Sequence, residues 1–432
     1  MSLHRQAFAL ATMHLVDVLQ PLLVIPYAAR ILGPEQFGRF VYALSVGAIA
    51  ATLVDYGFHW TGQREAAAAR DDRDRLGQIL ANVVTAKAAL LVVVLVLGLM
   101  TSQYFGLDWR LLLATLLTAA GNVLFPAWLF IGTENSWRAA LPATLARILL
   151  LGAFFALVRT PSDTTIATAI QAAAPLLAAI MTAGYTAKLA LVGLPRVSTA
   201  SVREQFGDGA RAFLFTLVER IVITAPVLMV THLQGYTAAG YYSIADKFIG
   251  ATRPFFRVIS ETFLPRIAYY AAHAPDDGIT LVGNVFYTLI VGAAFSAGLY
   301  FAAPYIIIIL FGSEFSAAVP IVKWMSILPF LFNVNLLTAT LYMFNFGHER
   351  AWAYLIALSL VVFFATALIS VAAGIEPILA IPLGLIGKEV SVLVISGTYF
   401  VRHMLSVAGS PSFRSQHNAI ATAVENTVNH AP

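Results

Sequence analysis

Six stretches of this chain, residues 88–107, 111–133, 164–187, 279–313, 324–348 and 351–375, contain no Asp, Glu, Lys or Arg. Each is at least as long as the roughly 18–20 apolar residues that cross a bilayer's hydrocarbon. Backbone amides in lipid must find their partners within the segment, so such runs can only be helices. Six further stretches are interrupted by a few charges: about 6–30 (Asp17), 39–61 (Asp55), 139–158 (Arg147), 210–232 (Glu219, Arg220), 237–258 (Asp246, Lys247, Arg253) and 378–401 (Lys388, Glu389). The expected fold is therefore an all-α polytopic membrane protein with about twelve transmembrane helices.

The composition agrees, with 59% hydrophobic and 11% charged residues against about 25% charged in an ordinary soluble domain. A soluble enzyme on a single anchor is excluded. The chain has no cysteine, which removes disulfides, thiolate metal sites and cysteine nucleophiles. A net charge of +4 is too small to point to a nucleic-acid partner.

Basic residues retained in loops mark the cytoplasmic side. With the amino terminus inside, fourteen fall in inner loops and tails and three outside, at Arg39, Arg110 and Arg159. Both termini are thus expected in the cytoplasm, and the first apolar stretch is too long for a signal peptide. The longest inner connection, residues 188–211, mixes Pro, Gly, Ser and charge near the midpoint. It divides the chain into an N-terminal six-helix lobe, 1–200, and a C-terminal one, 201–402, followed by a polar tail, 403–432. A faint repeat supports that division: Gly33 and Gly38 recur 202 residues later as Gly235 and Gly240, each pair near the outer end of a helix pair. These glycines read as turn and packing residues.

No phosphate-binding loop, zinc-protease motif, nucleophile elbow or spaced metal-ligand set is present, which disfavours ATP-driven transport or hydrolysis by this chain alone. The informative residues are cations inside apolar stretches: Lys87, Arg147, Arg220, Lys247, Arg253, Lys323 and Lys388. A lipid-facing cation at mid-depth costs roughly 2.5–3.5 kcal/mol. Each must snorkel, pair with an acid or line a wet cavity. Arg30 and Arg64, at the ends of the first two stretches, join Lys247, beside Asp246, as the foremost candidates. Pro21, Pro26 and Pro226 are expected to bend their helices. A cavity lined by arginines suits an anionic cargo, phosphate in particular.

Residues 26–38, PYAARILGPEQFG, then 53–58, LVDYGF, with Arg64-Glu65-Ala66, resemble the opening of the Wzx-type polysaccharide-biosynthesis flippases of the MOP superfamily. Residues 240–247, GYYSIADK, 263–268, FLPRIA, and 310–320, LFGSEFSAAVP, extend the resemblance along most of the chain. It implies a MATE-like fold: two pseudo-symmetric six-helix lobes around a central cationic cavity. It also implies flipping of undecaprenyl-diphosphate-linked oligosaccharide across a bacterial inner membrane, for O-antigen, capsule or exopolysaccharide. Carried over by motif, Arg30, Arg64 and Lys247 would hold the anionic cargo; Arg147 and Arg220 join them by depth alone. The implied partners are the lipid-linked oligosaccharide, membrane lipids, a polysaccharide polymerase and a chain-length regulator. No cofactor is implied, and coupling to protons or sodium through Asp17, Asp55 or Asp246 stays open. The alternatives are a cation-coupled multidrug exporter, which should carry more buried acids than bases, and a membrane polymerase or ligase, which should carry a large outer loop.

Overall fold

The structure, a computed structural model, describes residues 3–102, 104, 106–191 and 199–408, with side chains placed for 16, 19–102, 104, 106–187, 206, 207, 209, 210 and 212–406. The side chain of Asp17, the connection 192–198 and most of the expected tail lie outside the described residues. The described chain is helical, with no strand among the described residues: α1 (Leu3–Asp55), α2 (Phe58–Ala68), α3 (Arg73–Thr101), α4 (Trp109–Leu124), α5 (Ala127–Gly132), α6 (Trp137–Leu157), α7 (Thr164–Ala172), α8 (Ala174–Leu191), α9 (Thr199–His273), α10 (Pro275–Val285), α11 (Leu289–Phe311), α12 (Ala318–Met325), α13 (Leu328–Asn335), α14 (Glu349–Ala372) and α15 (Pro377–Ala408). A π-helical turn, Leu336–Met343, prolongs α13. Local chemistry sets several starts. Asp72 accepts the Arg75 N–H at 3.0 Å and opens α3, and Asp108 accepts the Arg110 N–H at 3.3 Å and opens α4.

Among the described residues, ten helical segments are long and apolar enough to cross a membrane, which makes this a multi-pass membrane protein. Three are longer than one crossing: Pro275–Phe311, of 37 residues, is α10 and α11 joined by a 3-10 turn, and the other two are single helices. Leu19–Asp55 has 37 residues and Ala212–His273 has 62, about 55 and 93 Å at ~1.5 Å per residue, against hydrocarbon of about 30 Å. Each is broken at one glycine, Gly33 (φ 70°, ψ 170°) and Gly235 (φ 88°, ψ 179°). The bends expected at Pro21, Pro26 and Pro226 are not where the backbone leaves helical dihedrals. Proline holds φ near −65° and keeps the chain right-handed. A positive φ is open at little cost only to glycine.

The same repeat makes a helix crossing. A Cβ added to Gly38 would lie 1.8 Å from the Tyr236 carbonyl oxygen, and one added to Gly240 would lie 2.4 Å from the Pro34 carbonyl oxygen. Each carbonyl belongs to the residue just after the other helix's break. The contact is reciprocal, and only hydrogen fits on either side.

The chain forms two compact units, Met1–Ser243 with Ile306–Ala317, and Ile244–Tyr305 with Ala318–Pro432. In the first, Tyr42, Ala43, Val54, Leu112 and Ala119 form one core, and Phe58, Ala66, Leu76, Trp128 and Leu129 another. The Thr115 hydroxyl donates to the Ala43 carbonyl at 2.6 Å and ties α4 to α1. In the second unit Ile267, Ile279, Leu337, Tyr342 and Phe400 pack together. Outward faces stay apolar, as on α3 with Val92, Val96 and Leu97 about half exposed, which suits a lipid solvent.

Candidate functional site

In the first unit, Arg30 lies on the surface three residues before the Gly33 break. Its Nε donates to the Leu310 carbonyl at 2.8 Å and its Nη2 donates to the Ile309 carbonyl. These carbonyls lie in the last turn of α11, where orphan acceptors and the dipole's negative end attract a cation. The turn that follows is anchored by Phe315, fully buried, with ring centroids 5.9 Å from Phe37, 5.9 Å from Tyr241 and 6.1 Å from Phe311. Thus Arg30, read as a cargo cation, also holds the connection after α11 in place. Two of its five donors are used there.

Arg64 is exposed on α2, and Arg147 is half-buried on α6. Arg220, half-buried on α9, donates from Nε to the Thr52 hydroxyl at 3.2 Å. Asp55 accepts from the Lys87 ammonium at 2.6 Å, with the lysine side chain 3% and the aspartate 22% exposed. That pair removes Lys87 from the cations available to a cargo. It also gives Asp55 a structural partner.

In the second unit Asp246 and Lys247 are neighbours on α9, 3.6 Å apart, with the lysine side chain 51% exposed. Arg253 lies over the Phe332 ring at 4.9 Å, and Lys323 over the Tyr300 ring at 5.2 Å. Lys388 donates to Glu389 at 2.7 Å, and the other Glu389 oxygen accepts from the Asn335 amide at 2.7 Å. Asn335 ends α13, so this buried network ties α13 to α15 just before the π-helical turn.

The candidates that have a named partner each have a different one: helix-end carbonyls for Arg30, a hydroxyl for Arg220, a carboxylate for Lys247. The Lys87–Asp55 and Glu389–Asn335 contacts span 32 and 54 residues and follow from no local pattern. Among the described residues no group of three or more His, Asp or Glu could hold a metal ion. What the arrangement offers is cationic surface on apolar helices, the surface an anion can use.

The chain matches the family described as "Polysaccharide biosynthesis protein" over residues 3–271. A protein of Escherichia coli (strain K12) is 29% identical over 343 residues, covering 78% of this chain and 82% of that protein. A protein of Shigella dysenteriae is 22% identical over 340 residues, covering 78% and 85%. Both bear the name "Putative O-antigen transporter". Among solved structures, an inward-facing multidrug resistance MATE family transporter of the MOP superfamily aligns over 91% of this chain and 96% of its own, with a TM-score of 0.63 at 13% identity. At that identity the likeness is one of fold, and it makes the helical membrane architecture MATE-like. Residues 3–271 are more than half of the 432, and the chain belongs to the polysaccharide biosynthesis protein family.

Proposed function

We propose that this chain is a transporter that flips a lipid-linked oligosaccharide, carried on undecaprenyl diphosphate, across the bacterial inner membrane, with both termini in the cytoplasm. The observation that carries the reading is the family match over residues 3–271, together with a 29% identical relative named for O-antigen transport. Cations support it in chemical terms, four of them on candidate spans and Arg64 on the short helix α2 between two spans. Arg30, Arg64, Arg147, Arg220 and Lys247 present positive charge to a cargo whose head is a diphosphate, while the polyprenyl tail stays in lipid. A drug exporter of similar fold would lean on buried acids. Here Asp55 is engaged by Lys87 and Glu389 by Lys388 and Asn335.

Counting each glycine-broken helix as two spans takes the ten candidates to twelve. Twelve spans make two six-helix repeats, 1–200 and 201–402, with 403–432 as a tail. These repeats are defined by chain order, whereas the two compact units are defined by packing. Rocking of the repeats about the cargo would alternate access. Proton or sodium coupling falls to Asp17, Asp55 or Asp246; through Asp55 it would first have to break the Lys87 pair. A polysaccharide polymerase and a chain-length regulator are the partners downstream.

The test is complementation. In a strain lacking this gene, alanine variants at Arg64, Arg147, Arg220 and Lys247 are scored for surface polysaccharide at matched protein levels. Loss at two or more positions is expected, retained by Lys-for-Arg or Arg-for-Lys exchange. Full activity of all four variants would sink the cargo-cation assignment; failure of the wild-type gene to restore any polysaccharide would sink the function.

A further inference from the structure

The second unit contains a cleft of about 610 Å³ lined by Tyr300, Pro320, Lys323, Trp324, Ile327 and Ile386. Five of these six side chains are apolar or aromatic, and Tyr300, Trp324 and Ile327 stay 46%, 54% and 42% exposed. The sixth is a cation. Lys323 is half-buried, its ammonium 5.2 Å from the Tyr300 ring centroid, and among the described residues no carboxylate forms an ion pair with it. Lys247 and Lys388 in the same unit each have an acid beside them.

Lys323 sits five residues into α12, about 7.5 Å along it at ~1.5 Å per residue. It is therefore inside a candidate span, Ala318–Met343, about a turn and a half from its start. A cation there is costly unless an anion answers it or it reaches the interface. The ring of Tyr300 on α11 holds the ammonium in the cleft by a cation–π contact that brings no counter-charge. Among the described residues no acid supplies that counter-charge, and a lipid anion near the edge of the span can. A free phosphate would meet one ammonium and apolar walls. An amphiphile meets both needs, with its anionic head on Lys323 and its chain along Pro320, Ile327 and Ile386. One positive charge balances one negative charge, and a diphosphate would bring more than this lining neutralises. Tyr and Trp flanking the cleft are the residues that favour a lipid headgroup region.

We propose that this cleft is a binding site for a singly charged anionic phospholipid of the surrounding bilayer, with Lys323 as its headgroup ligand. The inference does not depend on what the chain transports. Trp324 is its reporter. The full chain is reconstituted in phosphatidylcholine vesicles that carry a minor fraction of brominated phosphatidylglycerol or, in parallel, brominated phosphatidylcholine. The six tryptophans are separated by subtracting the Trp324→Phe signal. Brominated phosphatidylglycerol should quench Trp324 with about fivefold higher apparent affinity, the size of one lysine's attraction to anionic lipid. Lys323→Gln should bring the ratio to about one, and Lys323→Arg should keep it, which separates loss of the site from loss of the fold. Equal quenching by both lipids in the wild type, or a preference unchanged in Lys323→Gln, would overturn the proposal. So would relief of quenching by undecaprenyl phosphate at levels where unbrominated phosphatidylglycerol has no effect, which would assign the cleft to a polyprenyl lipid.

Discussion

Gly38 and Gly240 face each other across a helix crossing so close that a Cβ on Gly38 would come within 3.1 Å of the Gly240 amide nitrogen, and one on Gly240 within 3.4 Å of the Gly38 nitrogen. Small residues at such crossings let backbones approach where no hydrophobic effect drives helices together. Gly38→Ala or Gly240→Ala should therefore push the helices apart, at about 1–3 kcal/mol or more for overpacking. Thermal unfolding of the detergent-purified protein measures this. Gly298→Ala, where an added Cβ meets nothing within 4 Å, is the neutral control. Equal stability of all three variants would remove the crossing's importance.

The Lys87–Asp55 pair makes a prediction about sign. Removing one partner leaves a buried charge unanswered, so Asp55→Asn or Lys87→Met alone should destabilise by about 3–5 kcal/mol. Removing both, as Asp55→Leu with Lys87→Met, should recover most of that loss. If the double variant is stable yet does not transport, Asp55 is needed for more than structure.

Arg30 can be separated into its two roles because the chain has no native cysteine. A cysteine replacing the fully buried Phe315 should react slowly with a membrane-impermeant maleimide. Adding Arg30→Gln removes hydrogen bonds from a charged donor, each worth roughly 1.5–3 kcal/mol, so labelling should speed up by about tenfold or more. Arg30→Lys should lie between. An unchanged rate would mean that the α11 cap does not hold the turn.

Topology is tested the same way. Asp71, with its side chain 95% exposed, and Ser162, also exposed, lie in connections expected on opposite sides of the membrane. Cysteine at 71 should label only after the membrane is permeabilised, and cysteine at 162 in intact cells. The reverse pattern would invert the orientation.

Much of this was legible in residue order, for reasons that are physical. Uncharged runs such as 351–375 announce helices because lipid admits little else. The Gly33 and Gly235 breaks showed as a repeat because a positive φ demands a particular residue. Pro21, Pro26 and Pro226 mark bends of another kind, since proline bends a helix without leaving its dihedral region, and the breaks in dihedral fall at the glycines. Partnerships were hidden where chain separation is large. Arg30 meets carbonyls 279 and 280 residues away, and nothing local in either segment records it. Adjacency was equally silent for Lys388 and Glu389, neighbours on a helix that still meet at 2.7 Å.

The segment Ile306–Ala317 belongs to the first compact unit although the chain on both sides of it belongs to the second. Synthesis runs in order, so when residue 243 leaves the ribosome that unit still lacks Phe315 and the carbonyls that Arg30 caps. Its packing is completed only after about seventy further residues have been inserted. The early helices must wait in the bilayer with Phe37 and Tyr241 short of their ring partner. A gene split near the midpoint would have to deliver both fragments to the same membrane before the first unit could finish folding.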